Sequence, residues 1–379
     1  MATDAHAASR MPVPRAAVAE PGAAHRRWLY FGLLLAGLLA DLALGVAETG
    51  WRAFVNSLAV PPEHSVWLVG LAACVTWINA FATLTGMLWP LVAAGLAMTA
   101  FVLVRWRRER NRLLRGRLAL AVLAYFLLTA TMPLVGSGFP VVPNPGGTGQ
   151  PAWTAATGLS MLAFILLAIL FGRGTYCGVI CPAATYWSGL GQHFIRYNVR
   201  SQRTRRLAAI TRIALLVLFA TATGLSILDS FRLIHFSIFG NDPAVFFSGL
   251  VWMTVWFLML VVVPFLGNRA FTRFLCPMGA FLGSVSQAGF FRVVSRDPQR
   301  CLHCTSHACS STCEVSLDVG RALAQQGFLK SPACVGCGNC AAACPDGNIA
   351  YDNVFTWLRR AARGGTALPG ASLPVERGA

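Results

Sequence analysis

Long apolar runs alternate along this chain with short stretches that carry arginine. Residues 28–47 are apolar except for Asp41, residues 65–104 form about forty nearly unbroken apolar positions, and further runs cover 118–135, 153–171, 207–228 and 246–266. A helix needs roughly twenty apolar residues to cross a bilayer core, and in lipid its backbone must satisfy its own hydrogen bonds. The run at 65–104 can hold two helices with Thr85-Gly86 as a turn, so the pattern predicts six or seven apolar helices. After Gly267 the long runs stop, and the remainder reads as a smaller α+β module.

Composition agrees with the pattern. Of 379 residues, 56% are hydrophobic and 12% are charged, and the mean hydropathy is +0.59; such a chain belongs largely in lipid. The formal net charge is +17, but the arginines flank apolar runs and no nucleic-acid-binding motif accompanies them. That excludes nucleic acid as a partner and points to anionic lipid. Arg26 and Arg27 precede the first run without a small-residue cleavage site, so it is expected to be an uncleaved helix, not a signal.

Arginine placement orients the helices. Residues 105–117 hold seven arginines and one glutamate, and residues 172–206 hold six arginines and no acid; by the positive-inside rule both are cytoplasmic loops of a bacterial inner membrane. Residues 118–171 and 207–266 then form two out-and-back hairpins. The N-terminal part stays open: a cytoplasmic N-terminus requires residues 65–104 to cross only once, whereas two crossings place the N-terminus outside. The expected units are an Ala/Pro-rich disordered arm (1–25), N-terminal helices with a basic loop (26–117), the two hairpins (118–290), a module (291–358) and a disordered tail (359–379).

The chemistry lies in that module. Eight of the twelve cysteines fall between residues 301 and 344, as Cys301/Cys304/Cys309/Cys313 and Cys334/Cys337/Cys340/Cys344-Pro345. The second spacing is the run that bacterial ferredoxins use for a 4Fe-4S cluster, in which the fourth cysteine ligates the other cluster. Crossing the ligands gives Cys301, Cys304, Cys309 and Cys344 for one cluster, and Cys334, Cys337, Cys340 and Cys313 for the other. The first set departs from the pattern at Thr305 to Ala308, a longer gap, and at Glu314, which replaces proline; His303 and His307 lie within it as alternative ligands. Structural zinc sites pair two-cysteine knuckles across longer gaps, and a cytoplasmic location disfavours disulfides.

Each hairpin ends in a cysteine-proline motif, Cys177-x-x-x-Cys181-Pro182 and Thr272-x-x-x-Cys276-Pro277, with Thr272 replacing the leading cysteine of the second. If the first motif is helical, Cys177 and Cys181 share a face. The three thiols are candidates for a joint redox or metal site, and Arg173 and Arg273 nearby are expected to bias them toward thiolate. Cys74, alone in an apolar run, is a packing residue. Asp41, Asn79, Asp229, Arg232 and His235 are the polar groups available to a quinol site. His193 and His235 fall at opposite membrane faces, which rules out a shared haem.

Paired hairpins ending in cysteine-proline motifs, followed by a double ferredoxin run, resemble the membrane-bound polyferredoxin family that includes NapH and the C-terminal half of NosR. The likeness covers about residues 118–351. It implies two 4Fe-4S clusters and an electron-transfer role, with a quinol, ferredoxin or flavoprotein donor and a membrane or periplasmic redox partner. Thr272 departs from the family's second motif, and no flavin-binding domain like that of full-length NosR is present. The residues themselves show no nucleotide-binding fingerprint and no nucleophile elbow, so a carrier is expected and not an enzyme with its own substrate pocket. Supplying electrons for assembly of a metalloenzyme, and redox sensing, are the alternatives.

Overall fold

The computed structural model describes residues 23–51, 84, 87–130, 155–235 and 256–362. Expectations for the first 22 residues, Cys74, Asn79, the Thr85-Gly86 turn and the last 17 residues lie outside this set. The described chain is mostly helical. Its long helices are α1 (Ala23–Thr49), α2 (Leu88–Arg108), α3 (Arg112–Ala124), α4 (Ala155–Phe171), α5 (Gln202–Ser230) and α6 (Trp256–Leu266). Among the described residues, four helices are long and apolar enough to cross a membrane, within Ala24–Thr49, Leu88–Arg108, Arg112–Ala130 and Gln202–Asp229. Their outer faces carry exposed leucines, isoleucines and valines, which would be costly in water and are at home in lipid.

The arginine-rich stretch at 105–117 is not the loop expected from its charge. Its arginines finish α2 and begin α3, and only Glu109–Asn111 between them leaves the helix. Asn111 caps α3 by accepting hydrogen bonds from the amides of Leu113 and Leu114 at 3.0 and 3.3 Å, a standard answer to unpaired N-terminal amides. Ser201 does the same for α5 through Thr204 N at 3.1 Å.

Contacts fix the direction of each helix. Near the start of α1, the Arg27 guanidinium sits over the Tyr197 ring at 4.7 Å; near its end, Glu48 accepts hydrogen bonds from Leu88 N and Trp89 N. The end of α2 reaches Asn339 of the cysteine module through Arg105, and the start of α3 reaches Val335 through Arg117. The start of α5 reaches it through Arg205, 3.8 Å from Asp318. The first helix therefore begins at the module end of the bundle, the same end as the arginines of 105–117. The end of α1 and the start of α2 meet at the opposite end, through Glu48 and Leu88.

The module opens with α7 (Pro277–Val285) and strand β1 (Arg292–Ser295), and continues through α8 (Val319–Gln326), β2 (Phe328–Leu329), β3 (Ile349–Asp352) and α9 (Val354–Ala361). The strands form an antiparallel sheet in the order β2-β1-β3, with Val293 opposite both Leu329 and Tyr351. Gly327, at φ 72°, closes α8 in the left-handed conformation that glycine favours. The sheet, the Tyr176–Trp187 segment and the residues around Cys276 share one apolar core, so the module is packed into the bundle end.

Candidate iron–sulfur site

Short helices and turns between the strands carry the cysteines. Cys301 lies in the helix Pro298–Leu302, Cys309 in Ala308–Ser311 and Cys340 in Asn339–Ala342. Two residues between the second-set cysteines are glycines for a visible reason. Gly336 and Gly338 have φ of 53° and 97°, and a Cβ on them would stand 3.0 Å from the Phe291 ring and 2.9 Å from Leu114 Cδ1. The turn therefore needs glycine both for its conformation and for its closeness to neighbours.

The eight sulfurs are sorted between two cavities. One is lined by Cys301, Cys304, Cys309 and Cys344, with His307 at its wall. The other is lined by Cys313, Cys334, Cys337 and Cys340 among Val293, Val315 and Tyr351. Cys344 and Cys313 have thus exchanged sides relative to their positions in sequence. His303 is exposed and does not line the first cavity.

Hydrogen bonds reach the sulfurs in both places. In the first cavity, Ser295 Oγ and Asn348 Nδ2 lie 3.3 and 3.4 Å from Cys301 Sγ, and Asn348 N donates to Cys344 Sγ at 3.4 Å. In the second, Leu317 N donates to Cys313 Sγ at 3.3 Å and Tyr351 Oη lies 3.4 Å from Cys340 Sγ. Burial pushes the thiols of Cys313 and Cys334 up to about 11 and that of Cys337 to about 12. Held this high, these thiols keep their protons unless a bound cationic group replaces them.

The donor set fits a cluster better than a single ion. Among the described residues no three His, Cys, Asp or Glu side chains converge closely enough to hold one metal ion. The sulfurs instead stand around a cavity wall, as a group several ångström across requires. Four cysteine thiolates are the ligand set of iron–sulfur clusters.

Around the second cavity lies a buried polar network that spacing alone does not disclose. Glu314, 1% exposed, ion-pairs with Arg269 Nε, and its other oxygen accepts from Gln192 Nε2 at 2.7 Å and Asn339 Nδ2 at 3.2 Å. Arg269 also donates to the Cys177 carbonyl at 2.9 Å, Arg105 donates to Asn339 Oδ1 at 2.7 Å, and Arg173 donates to the Gly279 and Pro332 carbonyls at 2.5 and 2.8 Å. Burial alone would raise the Glu314 carboxyl, but the guanidiniums of Arg269 and Arg105 hold it below the ordinary carboxylate range. The replacement of proline by Glu314 marked this site in the sequence; its partner Arg269 carried no signal.

Among the described residues, the three remaining thiols, Cys177, Cys181 and Cys276, are brought near one another. Cys177 lies in a π-helical turn, Tyr176–Ile180, closed by Cys181 N donating to Tyr176 O at 2.8 Å; this replaces the regular helix expected there. Cys276 caps α7, its sulfur accepting from Gly279 N at 3.2 Å. The expected bias toward thiolate is reversed. Burial, reinforced by Cys177, pushes Cys181 up to about 12 and pushes Cys276 higher still. Arg173 is committed to carbonyls, and Arg273 turns to Val199 O at 2.9 Å.

The polar quinol-site residues do not assemble as one group. His235 Nδ1 lies 3.3 Å from Asp229 Oδ1 at the end of α5 remote from the module, and Arg232 beside them adopts φ 57°. Asp41 stands on α1, within electrostatic reach of Tyr125. His193 lies at the module end of the bundle, away from His235.

Comparison with known proteins places this geometry. Residues 293–345 match the 4Fe-4S dicluster domain family, and residues 153–190 and 248–295 each match the 4Fe-4S binding domain family, so both cysteine-proline motifs fall within the latter. The chain is similar to ferredoxin-type electron-transport proteins of the NapH/NosR kind. It is 30% identical over 148 residues to the methylamine utilization ferredoxin-type protein MauN of Paracoccus denitrificans, a stretch covering 39% of this chain and 50% of MauN. It is 25% identical over 218 residues to the putative electron transport protein YccM of Escherichia coli, covering 52% and 56%. It is 28% identical over 181 residues to the regulatory protein NosR of Pseudomonas aeruginosa, covering 45% and 24%. The chain thus spans about half the length of MauN and YccM and about a quarter of NosR. No solved structure matches it.

Proposed function

We propose that this chain is a membrane-embedded electron carrier with two 4Fe-4S clusters, one held by Cys301, Cys304, Cys309 and Cys344, the other by Cys334, Cys337, Cys340 and Cys313. The observation that carries this reading is the pair of cavities, each walled by four cysteines drawn from both sequence sets. Clusters of this kind supply one-electron transfer when bound. The chain's own residues hold them apart from bulk solvent to different degrees. In the second cavity Cys313 and Cys340 are buried and Cys334 and Cys337 partly exposed, whereas all four cysteines of the first, Cys301, Cys304, Cys309 and Cys344, are partly exposed. The exposed cavity is the entry side for a soluble donor, and the buried one faces the bundle.

The arginines that end α2 and begin α3 and α5 lie at the module end, which supports a cytoplasmic module in a bacterial inner membrane. The apolar segments form the membrane bundle, and residues 291–358 the cluster module. A ferredoxin, flavoprotein or quinol is the donor class, and a membrane or periplasmic redox protein the acceptor class. Asp229, Arg232 and His235 share the end of α5 while Asp41 stands on α1, so a quinol site draws on one of these two places.

A second reading is favoured by the gathering of Cys177, Cys181 and Cys276. Here the chain supplies electrons for assembly of a metalloenzyme, with these thiols handling metal or disulfide chemistry. Anaerobic purification tests the first reading. About eight iron atoms per chain and two reducible 4Fe-4S signals are expected; zinc, or no metal, at the eight cysteines would overturn it. Loss of a specific metal centre from another enzyme on deletion, with electron throughput unchanged, would favour the second.

A further inference from the structure

The last described helix, α9, has features that the electron-carrier reading leaves unused. It follows β3 directly, and its start is fixed by Asn353, whose Oδ1 accepts from Phe355 N and Thr356 N at 3.0 and 3.1 Å. Thr356 Oγ1 in turn accepts from Asn353 N at 2.8 Å, a reciprocal cap that makes so short a helix definite. One side is anchored in the protein, with Trp357 against Phe290 at 5.3 Å between ring centroids.

The other side is apolar and open. Phe355 and Leu358, one helical turn apart, are 58% and 49% exposed. The Phe355 ring also lies 5.4 Å from that of Phe171, the last residue of α4. Leu159, Leu162 and Leu166 on α4 are themselves 69%, 51% and 50% exposed. The open face of α9 therefore continues the outward apolar face of a helix read as crossing the bilayer. Past Leu358 the sequence runs Arg359-Arg360, with Arg363 following, and residues 354–363 contain no acidic residue. An apolar stripe beside a basic end is the pattern of a helix lying in a membrane interface.

We propose that α9 lies in the headgroup layer of the leaflet next to the cluster module, with Phe355 and Leu358 at the acyl-chain boundary and Arg359 against lipid phosphate. The proposal rests on the reading of α4 as a membrane helix. Other occupants are disfavoured by position. The start of α4 at Ala155 is about 25 Å from Phe171 at 1.5 Å per residue, and α5 ends remote from the module. Residues 363–379 are rich in Gly, Ala and Pro with little aromatic or branched apolar content, a poor cover for an apolar stripe. In this position α9 ties β3, and with it the wall of the buried cavity, to the membrane plane.

The test is photo-cross-linking of the full chain in phospholipid nanodiscs, with p-benzoylphenylalanine in place of Phe355 and, in a second variant, in place of Leu162. Lipid adducts at both positions are expected, with the yield at residue 355 falling severalfold when Arg359→Glu is added. Lipid adducts at 162 combined with adducts at 355 only to this chain or to another protein would overturn the placement of α9. Absence of lipid adducts at both would overturn the membrane reading beneath it. In a Phe355→Ser/Leu358→Ser variant, hydrogen exchange supplies a readout that survives altered photochemistry. Amides of α9 should lose at least tenfold protection while those of β1 and β3 keep theirs; unchanged protection of α9 would count against the proposal.

Discussion

Arg269 and Glu314 meet as an ion pair in which each side chain is 1% exposed, joining the loop before Cys276 to the residue after Cys313. Arg269 adopts the left-handed conformation at φ 56°, unusual for a residue with a side chain, and from there reaches both Glu314 and the Cys177 carbonyl. One guanidinium thus connects the two cysteine-proline motifs with the cluster module.

Removing one partner of this pair should be severe. Glu314→Leu or Arg269→Met alone leaves a buried charge without its counter-ion, and a loss of about 3–5 kcal/mol is expected. The double variant should recover part of that loss. Denaturant unfolding followed by tryptophan fluorescence would measure both; equal and additive losses would show that the pair is not coupled.

The same pair sets an acid limit. The folded Glu314 carboxyl is held below its ordinary value, so its contribution to stability is present above the unfolded value of roughly 4.3. It is lost as pH falls through the lower, folded value. The loss of stability between about pH 4 and lower pH should be shallower in the double variant than in the wild type; parallel profiles would contradict this.

Ligand exchange between the two cysteine sets can be read from single substitutions. Cys344→Ala should abolish the same spectroscopic signal as Cys301→Ala, and Cys313→Ala the same one as Cys340→Ala, each with iron falling by about half if the other cluster persists. Pairing by sequence set, with Cys344→Ala matching Cys340→Ala, would refute the arrangement.

Tyr351→Phe removes the hydroxyl 3.4 Å from Cys340 Sγ. Hydrogen bonds to cluster sulfurs favour the reduced, more negative state, so one of the two midpoint potentials should fall while the other stays in place. A redox titration monitored by electron paramagnetic resonance distinguishes this from a uniform shift of both.

Cys181 and Cys276, pushed up by burial, should resist maleimide at pH 7 in native membranes and react after denaturation, because the thiolate is the nucleophile. Rapid native labelling would show that a partner or conformational change opens this place.

The cysteine spacing and the apolar runs were legible because both depend on residues near in sequence: a cubane-binding turn is a matter of two intervening residues, and a lipid-crossing helix a matter of twenty. The N-terminal direction was not, since charge could orient 105–117 but not count crossings between 65 and 104. The contact of Glu48 with Leu88 and Trp89 brings α1 and α2 together at one end. Arg269 was invisible for a different reason. Its partner is 45 residues away, and nothing local announces that an arginine would turn inward. Glu314 stood out as a departure from proline, and its burial gives that departure a physical cause. The juxtamembrane arginines misled because the sequence shows a cation near a thiol but not that its hydrogen bonds are already given to carbonyls.

Cys344, which lines the cavity of Cys301, Cys304 and Cys309, is the last of the eight cysteines to leave the ribosome, and Cys313, which lines the other, is among the first. Neither compartment has its four walls until nearly the whole module has been synthesised. Filling both compartments is therefore a late and joint event, and a chain arrested between residues 340 and 344 would have all four cysteines only of the compartment lined by Cys313, Cys334, Cys337 and Cys340.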